Sequence, residues 1–215
     1  MGLINATVDL FPPALPVGFA HHAGALDAAM QAQLLAAVRA VEAEAPLTRV
    51  RTKMGGLTSA AMTNCGAAGW WSDARGYRYE RTNPATGRPW PAMPAAFRAA
   101  LGRIAAHTPW PDFAPDACLI NYYAAGARMG LHQDRDERDF GQPIITICLG
   151  DAADFLVGGA NRGDATIAVV VRSGDAMVMG GPARLFYHGI RKIYPGTGPI
   201  AGLIGRYSLT LRKAL

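Results

Sequence analysis

The chain has 215 residues, half of them hydrophobic and 17% charged, with 25 glycines and 15 prolines. That length fits one domain, and the composition excludes a disordered or low-complexity chain. A formal net charge of +5 is a mild pointer to an anionic partner such as nucleic acid, though many basic proteins bind nothing anionic.

The opening "MGLINATVDLFPP" lacks the basic and apolar regions of a secretory signal, and Ala6 stands where a myristoylation pattern needs Ser or Thr. No apolar run approaches the length of a membrane span. Three cysteines, Cys65, Cys118 and Cys148, show no zinc-type spacing, which points to a reducing compartment. A soluble, cytoplasmic monomer is expected.

The segment "LDAAMQAQLLAAVRAVEAEAP" predicts a helix, with Met30, Leu34, Val38 and Val41 at helical spacing and Pro46 as its stop. A Gly- and aromatic-rich stretch follows, "MGGLTSAAMTNCGAAGWWSDARGYRYERTNPATGRPW", which predicts irregular hairpins and loops. A second helix starts near Pro94, with Phe97, Leu101 and Ile104 as its buried stripe. From about residue 116 the runs become short and strand-like: "ACLINYYA", "PIITICLG", "ADFLVGG", "ATIAVVVRSGDAMVMGG", "RLFYHGI" and "GRYSLTLRKAL", with a Gly-Asp turn at 174–175. Six or more short strands in a hundred residues predict a sandwich or barrel. The expected class is mainly β with flanking helices.

"LHQDRDE", residues 131–137, puts a histidine, three acids and an arginine in one short segment. In a strand His132 and Asp134 share a face. With a second histidine, His188 in "RLFYHGI", they make the two-His, one-carboxylate set of non-haem Fe(II) oxygenases. Taken alone, the pair reads more readily as a turn, and His188 as a core histidine. The remaining histidines, His21, His22 and His107, sit in less suitable places. In "RYSLTLR" strand alternation puts Arg206, Ser208, Thr210 and Arg212 on one face and Tyr207, Leu209 and Leu211 on the other. Two guanidiniums on one strand face suit a dicarboxylate in a small barrel, since Arg pairs carboxylates in a bidentate fork. Asn121 and Tyr123 share a face in "LINYY" and offer hydrogen-bonding tips to an oxygen-rich ligand; a polar edge strand reads the same way.

Together, "PDACLINYYAAGARMGLHQDRDE", "GGPARLFYHGI" and "RYSLTLR" resemble the AlkB family of Fe(II)- and 2-oxoglutarate-dependent dioxygenases. "MTNCGAAGWW", "GYRY" and "RPWPAMP" resemble its bacterial DNA-repair members. The resemblance covers roughly residues 50–215. It implies one domain across 1–215: a helical N-terminal extension (1–46), a nucleotide-recognition lid (about 47–92) and a double-stranded β-helix or jelly-roll core (about 113–215).

By the same resemblance, His132, Asp134 and His188 are the catalytic iron ligands. Asn121, Tyr123, Arg206, Ser208 and Arg212 contact 2-oxoglutarate, Arg206 at the distal carboxylate and Arg212 at the one beside the keto group. Ser208 stands where the family usually has Asn. Trp70, Tyr77 and Asp136 match lid and pocket positions around the target base, with Tyr79, Met62 and Arg162 as neighbours. Arg49, Arg51, Lys53, Arg135, Arg138, Arg162 and Arg184 form a candidate phosphate-contacting set.

The implied activity is oxidative demethylation of alkylated DNA, and of RNA as a second substrate, using Fe(II), 2-oxoglutarate and O2. The target base must be flipped or single-stranded to be reached. Two rivals are weighed: an Fe(II)/2-oxoglutarate oxygenase acting on a protein, lipid or small molecule, and a non-enzymatic cupin-like module with a structural metal.

Overall fold

A computed structural model describes residues 14–52 and 55–215; Lys53 and the first thirteen residues lie outside the described set. In chain order the elements are β1 (Phe19–His22), α1 (Ala28–Glu44), β2 (Ala61–Gly66), β3 (Gly69–Asp73), β4 (Gly76–Glu80), α2 (Ala95–Ala105), β5 (Ala117–Tyr123), β6 (Met129–His132), β7 (Ile144–Gly150), β8 (Ala152–Val157), β9 (Ile167–Val171), β10 (Ala176–Met179), β11 (His188–Tyr194) and β12 (Arg206–Arg212). Both expected helices are present. Asp27 caps the first, its carboxylate accepting the Met30 N–H at 2.8 Å.

The strands form a six-stranded antiparallel sheet, β1-β10-β7-β12-β5-β2, and a four-stranded one, β6-β11-β8-β9, with β3–β4 as a separate hairpin. The two larger sheets stack as a double-stranded β-helix. Helices α1 and α2 cover the outer face of the six-stranded sheet. Leu34, Val38, Phe97 and Leu101 pack there against Ile120, Ile145, Ile147, Leu209 and Leu211. The inner face meets the smaller sheet, where Tyr123, Ile144 and Cys148 pack with Phe155, Val157, Ile190 and Ile193. Period-two alternation therefore divides each strand between two covered layers, and all seven residues of β12 are buried.

Two parts of the chain cross the divisions expected from the sequence. β1, in the N-terminal segment, joins the large sheet beside β10, placing His21 and His22 in a strand. β2, inside the expected lid, pairs along its full length with β5. Its Ala, Asn and Gly are weak strand formers, so only pairing reveals it.

The Gly-Asp turn sits between β9 and β10. Gly174 has φ +86°, and a Cβ there would strike the Gln31 side chain and the Leu26 carbonyl. The turn thus docks against the start of α1, and only glycine permits both the conformation and the approach. Among the described residues no helix is long and apolar enough to cross a membrane.

The hairpin is anchored at its root. Gly69 lies against the Trp90 ring and the Asn64 Cβ, with no room for a side chain. Asn64 also holds Trp70 by its backbone, accepting from Trp70 N–H at 3.0 Å and donating to the Trp70 carbonyl at 3.1 Å. Gly69→Ala should destabilise the protein by about 1–3 kcal/mol through overpacking, read as a lowered urea midpoint at unchanged m-value.

Candidate active site

β6 ends at His132 and β11 begins at His188, and the two are cross-strand partners. Their rings meet with centroids 4.4 Å apart. Asp134 lies beyond the end of β6 in irregular chain, so strand alternation does not place it. Two arginines do. Arg212 Nη2 donates to Asp134 Oδ2 at 2.9 Å, and Arg184 Nη1 donates to the Asp134 carbonyl at 2.7 Å. Asp134 Oδ1 then lies 3.7 Å from His132 Nε2, and Oδ2 lies 3.5 Å from His188 Nε2. Among the described residues this is the single cluster of three or more potential metal ligands, its atoms all within 4.8 Å of one another.

Each imidazole is oriented from behind. His132 Nδ1 is 2.9 Å from the Gly130 carbonyl, and His188 Nδ1 is 3.1 Å from the Phe186 carbonyl. A carbonyl only accepts, so each Nδ1 carries a proton and each Nε2 is the nitrogen available to a metal. Phe155 stacks on the His188 ring at 5.9 Å and 8°. Burial, followed by the neighbouring His188, pushes His132 down to about 4, so it is neutral at pH 7. Burial alone would raise the Asp134 carboxyl, but Arg212 and His188 outweigh it and hold that group well below the usual carboxylate range. These are the protonation states a divalent metal requires.

A cavity of about 570 Å³ opens over the triad. β5 and β12 line one side with Asn121, Tyr123, Ser208, Thr210 and Arg212; the hairpin adds Trp70 and Tyr77. Several buried polar atoms of these strands have no partner: Asn121 Oδ1, Arg212 Nε, and Arg206 Nε and Nη2. Arg206 is fully buried. Its Nη1 reaches the carbonyls of Asp151 at 3.0 Å and Val171 at 3.5 Å, and among the described residues no carboxylate pairs with it. A buried cation beside unpaired donors calls for an anionic ligand.

Residues 18–212 match the family model of the 2OG-Fe(II) oxygenase superfamily. Over 200 residues the chain is 48% identical to an alpha-ketoglutarate-dependent dioxygenase AlkB homolog of Caulobacter vibrioides, covering 92% of this chain and 88% of that one. It is 44% identical over 182 residues to the alpha-ketoglutarate-dependent dioxygenase AlkB of Escherichia coli K12, covering 85% and 84% respectively. The chain belongs to the AlkB family of 2OG-Fe(II) oxygenases. The solved structure of OsALKBH1 matches it with a TM-score of 0.81 at 27% identity, over 93% of this chain and 98% of that one.

In this AlkB-family chain the cavity gathers most of the residues singled out from the sequence. His132, Asp134, His188, Asn121, Tyr123, Ser208 and Arg212 line it together with Met62, Trp70, Tyr77, Asp136 and Arg162. Arg206 and Tyr79 do not line it. Arg206 sits opposite Tyr123 in the β5–β12 register. Tyr79 points its hydroxyl to Glu137 Oε1 at 2.6 Å and receives a hydrogen bond from Arg212 Nη1 at 3.1 Å.

Asp136 lies in irregular chain after β6. The Asp136 carboxylate accepts from Trp70 Nε1 at 2.7 Å, while the Trp70 and Tyr77 rings lie 5.4 Å apart, tilted by 30°. Arg162 is exposed and lies 5.7 Å over the Tyr187 ring.

Arg49, Arg51, Arg135 and Arg138 are exposed, as a phosphate-contacting role requires. Arg184 is a correction to that set. It is buried and spends its guanidinium on Glu137, the Asp134 carbonyl and the Gln142 carbonyl. Charge alone suggested an exposed contact; its internal partners are 42 to 50 positions away.

Glu137 and Asn64 were missed. Glu137 is the last letter of "LHQDRDE", and its side chain is wholly buried between Arg184 and Arg212. The only local signal was an acid too many for a metal triad.

Between about pH 6.5 and pH 4 the unfolded chain binds a proton at His132 that the folded chain refuses. Protons then favour unfolding, so the metal-free protein should lose stability as pH falls across that window. Urea midpoints at pH 7 and about pH 4.5 check this. Burial also lowers His22, so His132→Gln should reduce the pH dependence without removing it.

Proposed function

We propose that this protein is an Fe(II)- and 2-oxoglutarate-dependent dioxygenase that oxidatively demethylates N-alkylated bases in DNA, of the 1-methyladenine and 3-methylcytosine type, with RNA as a second substrate. The observation that carries this reading is the oriented His132–Asp134–His188 triad tied to Arg212, on the strand that also carries buried Arg206, both guanidiniums keeping donors without partners. A site built only to hold a structural metal has no use for two such guanidiniums. Relatives named nucleic acid dioxygenase ALKBH1, in Homo sapiens, and DNA N(6)-methyladenine demethylase ALKBH1D, in Arabidopsis thaliana, support a nucleic-acid substrate. The protein is placed in the cytoplasm as a monomer; its three buried, unpaired cysteines suit a reducing compartment.

His132, Asp134 and His188 would hold the iron. Arg206 would take the distal carboxylate of 2-oxoglutarate and Arg212 the carboxylate beside the keto group, with Asn121, Tyr123 and Ser208 alongside. When bound, iron, 2-oxoglutarate and O2 supply oxidation of the N-methyl group, which leaves as formaldehyde while 2-oxoglutarate leaves as succinate and CO2.

The chain's own part is binding and aim. Trp70 offers a flat face to an unstacked base. Its indole N–H is fixed by Asp136 and its backbone by Asn64, so the platform is oriented before a base arrives. The Asp136 carboxylate, half-buried at the cavity wall, favours a base made cationic by methylation. Met62 and Leu119 keep the neighbouring wall apolar. Arg49, Arg51, Arg135 and Arg138 would meet phosphates.

Purified protein should release formaldehyde from a 1-methyladenine oligonucleotide only when Fe(II), 2-oxoglutarate and O2 are all present. Succinate without formaldehyde would move the substrate to another class, and neither product would leave a binding module. Arg206→Ala should raise the KM for 2-oxoglutarate about a hundredfold or more, within the roughly 2–5 kcal/mol of a buried charge pair broken on one side, and leave the KM for oligonucleotide nearly unchanged. Asp136→Asn keeps size and removes charge. It should lower kcat/KM on cationic 1-methyladenine more than on neutral 3-methylthymine, as read by product formation from the two oligonucleotides.

A further inference from the structure

Tyr79 lies two residues from Tyr77 on the same face of the hairpin strand, yet the two side chains meet different surroundings. Tyr77 is exposed and lines the cavity; Tyr79 does not line it. Its hydroxyl donates to Glu137 Oε1 at 2.6 Å and accepts from Arg212 Nη1 at 3.1 Å. Arg212 Nη1 also donates to Glu137 Oε1 at 3.1 Å, closing a three-membered ring of contacts. Glu137 is held on its other oxygen by Arg184 Nη2 at 3.0 Å. Arg212 Nη2 is engaged by Asp134, which leaves Nε as the unpartnered nitrogen of that guanidinium. Every contact on Arg212 therefore fixes its plane, and the hairpin supplies one of them.

We propose that Tyr79 is a positioning residue for the cosubstrate carboxylate: with Glu137 it sets the plane of the Arg212 guanidinium, and it does not touch the base. This rests on the reading of Arg212 as a 2-oxoglutarate contact. The arrangement suits the role. The carboxylate of Glu137 draws one edge of the guanidinium toward itself, and the Tyr79 hydroxyl, as donor to Glu137 and acceptor from Arg212, bridges that edge. Burial holds the Tyr79 phenol well above its ordinary range, so it stays protonated across the working pH. Arg184 and Arg212 balance Asp134 and Glu137 in charge, so the cluster is internally neutral and an incoming carboxylate is received by an oriented donor rather than by loose excess charge. The ring also joins the hairpin to the strand that carries Arg212, while Trp70 itself is held separately by Asn64 and Asp136.

The test is Tyr79→Phe, which removes the hydroxyl and keeps the ring. Binding of 2-oxoglutarate to the Mn(II)-loaded protein, measured by calorimetry under nitrogen without DNA, should weaken about tenfold, the size expected for one lost hydrogen bond within a charged cluster. The KM for 2-oxoglutarate should rise by a similar factor, while the KM for the methylated oligonucleotide and the preference for cationic over neutral lesions stay at wild-type values. Glu137→Asp keeps the charge but withdraws it by one methylene. It should give the same one-sided penalty, and it carries the test if Tyr79→Phe does not fold. A rise in the oligonucleotide KM alone, or wild-type 2-oxoglutarate binding in both variants, overturns the proposal. Failure of the wild-type protein to bind 2-oxoglutarate would instead overturn the underlying reading of Arg212.

Discussion

A guanidinium taken out of water must be met by an anion or by enough acceptors, and β12 carries two of them into the space between the sheets. Arg212 is met by Asp134 and Glu137. That pairing draws the segment after β6 inward, although it has no strand partner there. Asp134 thereby comes to lie against both histidines, which the β6–β11 register already holds together. Arg206 is met only by backbone carbonyls and keeps two unpartnered nitrogens. One arginine assembles the metal-type triad, and the other keeps donors that suit an anion. Both follow from placing long cationic side chains on the inner face of a strand whose outer face packs under two helices.

The same constraint separates rigid from adjustable parts. His132, His188, Arg206 and Arg212 stand at sheet positions locked by cross-strand registers and by a core in which Ile145, Ile147, Leu149 and Leu209 are fully buried. The cavity-lining aromatics Trp70 and Tyr77 stand on a two-stranded hairpin outside both sheets. That hairpin is fastened at few points: Asn64 and Gly69 at its root, Asp136 to the Trp70 indole, and Tyr79 to Glu137 and Arg212. Within it, Arg78 is held by Asp73 at 2.8 Å and by Glu80. Surface pairs of this kind add little stability, but they keep a small hairpin in one shape.

Much of this was legible in the sequence, because periodicity is a local property. Helical spacing of Met30, Leu34, Val38 and Val41 specified a face, and that face is the buried one. Alternation in "RYSLTLR" and "LINYY" assigned Arg206, Arg212, Asn121 and Tyr123 to one side of their strands. That held because a strand cannot present neighbouring side chains on the same face. The histidines and Asp134 were legible as residue types in a recognisable order. What the chain could not state locally was decided by tertiary contact. β2 is a strand only because β5 offers it a partner. Asp134 joins the triad through Arg212, 78 positions away, and not through alternation. Arg184 and Glu137 look like surface charges in the sequence and become a buried pair when the loop after β6 meets the segment before β11. Tyr77 and Tyr79 look alike, yet only one faces the cavity. Local pattern determines which face a side chain takes; only the packing of distant segments determines what that face meets, since the energy of a buried charge depends on partners far away in the chain.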